Sequence, residues 1–133
     1  MIVLDSSALI AILRREPEAD PFLRAIVATD FCLLASVNLL ETSMVLSGRT
    51  GDASAWIELD ELIASAAIEI VAQDEALVAT ARTAFLRYGK GRHPAGLNLG
   101  DCAAYALAKT RRLPLLFKGD DFGKTDVERA PWP

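Results

Sequence analysis

The chain has 133 residues, 52% of them apolar and 24% charged, with 14 Lys and Arg, 18 Asp and Glu, two Cys and one His. That is the length of one ordinary domain, too apolar for disorder, too poor in Cys for a disulfide scaffold, and without the run of roughly 18–20 apolar residues that spans a membrane. The net charge of −4 and a pI near 4.9 count against a general nucleic-acid binder.

The chain alternates short β-like runs with longer helical patterns, without repeats or linkers. IVL (2–4) is a β-branched run, and Ser6 or Ser7 can cap a helix to about Arg15, broken by Pro17. A helical pattern covers about 18–29, FCLLA (31–35) is a buried strand, and Ser36 is an N-cap for a helix to about Arg49, ended by Gly48 and Gly51. Residues 53–66 form an amphipathic helix with Trp56, Ile57, Leu59, Leu62 and Ile63 on its apolar side. IEIV (68–71) is a third strand. Asp74 caps a helix to about Tyr88, and KGRHPAG (90–96) is a polar loop. Asn98 caps a helix to about Arg111, LPLLF (113–117) is a fourth strand, KGDDFGKTD (118–126) is a loop, and APWP is a tail frayed or packed on the surface. This order predicts a single α/β domain over residues 1–133, with a mostly parallel central sheet of four to five short strands and helices on both faces. Cys32 and Cys102 read as buried hydrophobes in a reduced cytoplasm, and MIVLDSSAL has no signal-peptide pattern.

In such sheets ligands bind beyond the carboxyl ends of the strands. Asp5 ends the first strand. Glu41 sits in a helical stripe with Val37, Leu40, Met44 and Val45, where a carboxylate is either desolvated or facing a cleft. Asp101 opens the 98–111 helix, and Asp120 and Asp121 follow the last strand. Each has an ordinary reading: Asp5 as a helix cap, Asp101 as a partner of the helix dipole, Asp120 and Asp121 as turn residues. Converging together, they would repel one another unless hard cations such as Mg²⁺ or Mn²⁺ bind. With no Cys/His cluster, zinc does not fit. No nucleophile elbow, Walker loop or dinucleotide fingerprint is present, and His93 reads as a surface residue or a phosphate contact.

IVLDSSALIAIL, ASVNLLETSMVL and YGKGRHPAGLNLGDCAAYALAKTRRLPLLFKGDDFGKTD together resemble the PIN-domain ribonucleases, and within them the VapC toxins of bacterial toxin–antitoxin pairs. The resemblance spans essentially the whole chain. It implies an acidic quartet of Asp5, Glu41, Asp101 and a fourth acid from Asp120 or Asp121, with Asp121 favoured, binding Mg²⁺ or Mn²⁺ and cutting single-stranded or looped RNA. Ser6 and Asn38 would orient the site, while Lys118, Lys90, Arg92 and His93 would grip phosphates. It further implies a homodimer, a small cognate antitoxin covering the site, and a possible higher complex with that antitoxin. Two other readings stand beside it: a receiver-like phosphoacceptor signalling module, and a catalytically idle PIN scaffold. The charge is also unevenly spread. Residues 1–86 hold five Lys and Arg against 13 Asp and Glu, and residues 87–133 hold nine against five. An acidic, metal-filled cleft rimmed by bases from the C-terminal third would reconcile a low pI with RNA.

Overall fold

The computed structural model describes residues 1–132, apart from the side chains of residues 49 and 50; Pro133 of the terminal APWP lies outside the described residues. Four strands, β1 (Ile2–Leu4), β2 (Cys32–Ala35), β3 (Ile68–Val71) and β4 (Leu115–Leu116), form one parallel sheet in the order β3-β2-β1-β4. Between them run α1 (Ser6–Leu13), α2 (Ala19–Val27), α3 (Ser36–Thr50), α4 (Trp56–Ser65), α5 (Glu75–Tyr88) and α6 (Leu99–Arg111).

Strand side chains alternate between faces. Ile2, Leu4, Cys32, Leu34, Ile68 and Leu116 pack with α1, α2 and α4. Val3, Leu33, Ala35, Leu115 and Phe117 pack with α5 and α6. Both faces of the sheet are covered, as a parallel sheet requires. Among the described residues no helix is long and apolar enough to cross a membrane.

Several boundaries differ from expectation for physical reasons. Of the cap candidates the sequence offers for α1, Asp5 holds the place and Ser6 and Ser7 do not: its carboxylate accepts the Ser7 N–H. Ala35 holds the cap position of α3, and the Ser36 hydroxyl instead accepts the Gln73 N–H at 3.0 Å. Gly48 lies within α3, which closes at Gly51 in the left-handed region, with φ 75°. The 53–66 segment divides into a 3-10 turn, Ala53–Ala55, and α4. Trp56 and Ile57 are exposed, and only Leu59 of α4 is fully buried. The expected strand 113–117 pairs over two residues only. The tail is not frayed. Leu115 donates to Glu128 O and Ala130 donates back to Leu115 O, both at 2.8 Å, and the Trp132 ring meets Phe22 edge-on at 5.0 Å.

The largest difference lies in α3. Its apolar stripe faces outward: Leu40 and Met44 are 61% and 63% exposed, and Val45 is also exposed. Its inward face carries Asn38 and Thr42, both fully buried. Hydrogen bonds offset part of that desolvation, and Asn38 Oδ1 is left without a partner. Asn38 Nδ2 donates to Ser6 Oγ and to Gly100 O, each at 3.0 Å, and Thr42 Oγ1 donates to Asn38 O at 2.7 Å.

Candidate active site

Asp5 leaves the C-terminal end of β1 with its backbone N–H on Leu116 O at 3.0 Å, so the pairing of β1 with the edge strand β4 sets its position. Its Oδ2 accepts from Ser7 N at 3.0 Å and Ser7 Oγ at 2.6 Å. Its Oδ1 is buried and has no hydrogen-bond partner. Burial pushes the Asp5 carboxyl up to about 7; the Ser7 hydroxyl opposes this, and the charges of Asp101 and Glu41 add to it.

Asp101 arrives on the first turn of α6. Its Oδ2 accepts the Asn98 N–H at 3.0 Å while Asn98 Oδ1 accepts the Asp101 N–H at 2.9 Å, a reciprocal capping box. The structural role as a helix-start acid and a place in the cleft therefore coexist in one side chain. Burial raises the Asp101 carboxyl, and the charges of Glu41 and Asp121 raise it further against the Asn98 hydrogen bond.

Glu41 reaches the same place from α3. Its carboxylate occupies the space where a Cβ on Gly100 would stand, so Gly100 is what lets α6 approach it. Asp121 follows β4 and acts electrostatically on Asp101, and Asp120 is not among the charges that raise Asp5 or Asp101. The fold thus brings Asp5, Glu41 and Asp101 into electrostatic reach of one another beyond the carboxyl ends of the strands, with Asp121 within reach of Asp101. Among the described residues they are not closed into a ready-made metal shell of three or more acids.

Asn38 ties the starts of α1 and α6 to α3 through Ser6 and Gly100, so one side chain braces the elements that carry Asp5, Glu41 and Asp101. Ser6, at 4% exposure, also donates to Asn38 O at 3.3 Å. Lys118 uses its backbone N–H on Ser7 Oγ at 3.0 Å, and its ammonium lies between Glu16 at 3.0 Å and Glu18 at 3.1 Å. Lys90 and Arg92 are exposed in the 90–96 loop, with the Arg92 guanidinium 5.8 Å from the Phe85 ring centre. His93 is committed locally: its Nδ1 accepts the Ala95 N–H at 3.0 Å and its ring meets Tyr88 edge-on at 5.0 Å.

Two site residues were not singled out from sequence. Ser7 is the hydroxyl bonded to Asp5, and its signal was the Asp-x-Ser spacing of a capping turn. Gly100 is the space for Glu41, and its signal was a glycine inside the first turn of a helix, where Ala would favour helix more. Burial pushes the thiols of Cys32 and Cys102 each up to about 11, which leaves neither a thiolate at neutral pH.

The PIN domain family model matches residues 2–128. Ribonuclease VapC30 of Mycobacterium tuberculosis is 44% identical over 132 residues, covering 99% of this chain and all of that protein. Ribonuclease VapC of Mycolicibacterium smegmatis is 45% identical over 126 residues, covering 95% of this chain and 97% of the relative. Among solved structures, M. tuberculosis VapC20, a sarcin-ricin loop cleaving toxin, superposes with a TM-score of 0.80 at 15% identity, covering both chains fully. VapBC2 from Rickettsia felis, bound to a promoter DNA fragment, gives a TM-score of 0.73 at 16% identity, again with both chains fully covered.

Proposed function

We propose that this chain, which belongs to the PIN-domain family and within it to the VapC ribonucleases, is the toxin of a VapBC-type pair and cuts RNA by divalent-metal-dependent hydrolysis. The observation that carries the reading is the buried Asp5 carboxylate, one oxygen without a partner, within electrostatic reach of Glu41 and of Asp101, which in turn feels Asp121.

The donor set fits a hard cation. It is all carboxylate, its charges repel one another, and Asp5 Oδ1 has nothing to accept from. Asp5 and Asp101 would hold Mg²⁺ or Mn²⁺ directly, with Glu41 and Asp121 holding a second ion or its waters. When bound, such an ion lowers the pKa of water and offsets charge building on the phosphorus. The protein's own part is orientation. Ser7 fixes one Asp5 oxygen and leaves the other free. Asn98 fixes one Asp101 oxygen. Gly100 leaves room for Glu41. No side-chain nucleophile is required.

Lys90 and Arg92 are exposed near the start of α6 and would meet flanking phosphates. Lys118 would join them only by exchanging Glu16 and Glu18 for a phosphate, and His93 would add a weaker contact. The homodimer would form on the outward face of α3, where Leu40 and Met44 stand exposed beside a groove of about 700 Å³ lined by Val37, Phe85, Leu86 and Leu99. Only one lining side chain there is charged, Arg82, which suits pairing with a second copy. An antitoxin segment covering the acidic cleft would meet it best with Arg or Lys, and a dimer could carry two such segments into a larger complex. The expected location is the cytoplasm.

The receiver-like reading gains no support from the family model or the relatives. An idle scaffold would not need all the acids in place.

The deciding experiment incubates the purified chain with total RNA in Mg²⁺ or Mn²⁺ and maps the new ends. Asp5→Ala and Asp101→Ala should remain folded and lose cutting. Full cutting in excess EDTA, or by either variant, overturns the proposal.

A further inference from the structure

The segment from Lys118 to Asp126 carries Asp120 and Asp121, and it is fastened at its two ends. At its start the Lys118 N–H donates to Ser7 Oγ. At its end, Asp126 receives three groups. Tyr105 Oη donates to its Oδ1 at 2.5 Å, and its Oδ2 pairs with Lys109 Nζ at 3.2 Å and Arg87 Nη1 at 3.5 Å. Between the ends, Phe122 is buried and tilts against Phe117 at 5.1 Å, while Asp120 and Asp121 remain exposed.

Tyr105 lies one helical turn beyond Asp101 on α6. The helix that carries one site acid therefore also grips the segment carrying another. Asp121 and Asp101 repel each other, and that repulsion tends to drive the segment outward. The grip on Asp126 resists it.

We infer that Asp126, held by Tyr105, Lys109 and Arg87, is a positioning residue that keeps Asp121 within reach of Asp101. The inference rests on the reading of Asp121 as a site acid. A surface ion cluster serving stability alone predicts something different. Its charged members, Arg87, Lys109 and Asp126, are 40% exposed or more, where such pairs contribute little to stability, and nothing would link them to the metal.

The test measures Mn²⁺ binding to the RNA-free protein by calorimetry, alongside RNA cutting across a Mn²⁺ titration. The proteins are wild type, Asp126→Asn, Tyr105→Phe, Asp121→Asn and the Asp121→Asn/Asp126→Asn double variant, each checked by thermal melting. Asp126→Asn is expected to weaken Mn²⁺ binding about 10- to 100-fold, the range for groups that orient metal ligands. Its cutting should recover largely at saturating Mn²⁺. Tyr105→Phe should shift binding the same way by less, and it keeps the test open if Asp126→Asn does not fold. In the Asp121→Asn background, Asp126→Asn should add no more than about twofold, since it acts through the missing acid. Unchanged Mn²⁺ binding in both clamp variants, or penalties that multiply in the double variant, overturns the inference. A wild type that binds Mn²⁺ but cuts no RNA overturns the ribonuclease reading while leaving the clamp measurable. A wild type that binds no Mn²⁺ overturns both.

Discussion

Replacing Gly100 with Ala perturbs the cleft without touching any acid. The three heavy atoms nearest the new Cβ would all belong to the Glu41 carboxylate, close enough to collide. Because the obstructing atoms end a flexible side chain, the fold can survive by swinging Glu41 aside. Helix propensity favours Ala over Gly by at most about 1 kcal/mol, and less in a first turn. Gly100 O remains available to Asn38 Nδ2. Gly100→Ala should therefore melt within a few degrees of wild type and lose about 10- to 100-fold in cutting, or roughly 1.4–2.7 kcal/mol of transition-state stabilisation. Two other glycines calibrate the result. A Cβ at Gly48, inside α3, meets nothing within 4 Å, so Gly48→Ala should raise stability by up to about 1 kcal/mol and leave cutting alone. A Cβ at Gly89 would strike the Phe85 backbone oxygen as well as its ring, so Gly89→Ala should destabilise the fold without aiming at the cleft. The assay is initial rates of RNA cleavage at fixed Mn²⁺ beside thermal melting. Wild-type cutting by Gly100→Ala would show that Glu41 does not act from this position.

Because the folded Asp5 carboxyl titrates near 7 against an ordinary 3.8, the folded state holds a proton that the unfolded chain releases between those values. Metal-free stability should fall as pH rises from about 4 to 7, with Asp5 contributing up to about 4 kcal/mol. Melting midpoints in EDTA test this, and Asp5→Asn should flatten the slope and end cutting. Divalent ions should stabilise more at higher pH, because their ligands must be deprotonated. Asn38→Ala should lower stability by about 1–3 kcal/mol, since it removes the donors to Ser6 Oγ and Gly100 O, and denaturant titration reads it. Met44→Glu should lower the light-scattering mass of the proposed homodimer to that of a monomer without unfolding; a dimer unchanged by the substitution would place the interface elsewhere, and a monomeric wild type would overturn the pairing.

The strands and the long helices were readable because their apolar periodicity matches what the fold buries. Asp74 and Asn98 were readable as caps because their carboxylate and amide act on neighbours three residues away. What misled was α3. Periodicity reports an apolar face but not whether the core or a partner covers it, and here the core took Asn38 and Thr42, which find partners only across more than thirty residues or through the helix backbone. Asp5 was legible both for its chemistry and as a helix cap, and it holds both roles at once, which displaces Ser6 and Ser7 from the cap of α1. The Ser7 contact to Lys118, the fit of Glu41 against Gly100 and the Asp126 contacts depend on elements meeting in space, which no local pattern encodes.

The tail beside β4 has a practical consequence. A two-residue strand at the margin of a sheet offers free amide and carbonyl groups to any passing chain. Here Glu128 and Ala130 occupy those of Leu115, and Trp132 pins the cover to α2. A truncation before Val127 would uncover that margin and is expected to promote intermolecular strand pairing and precipitation. An affinity tag placed directly after Ala130 would disturb the same cover, so purification handles are better placed at the amino end, where Met1 is exposed.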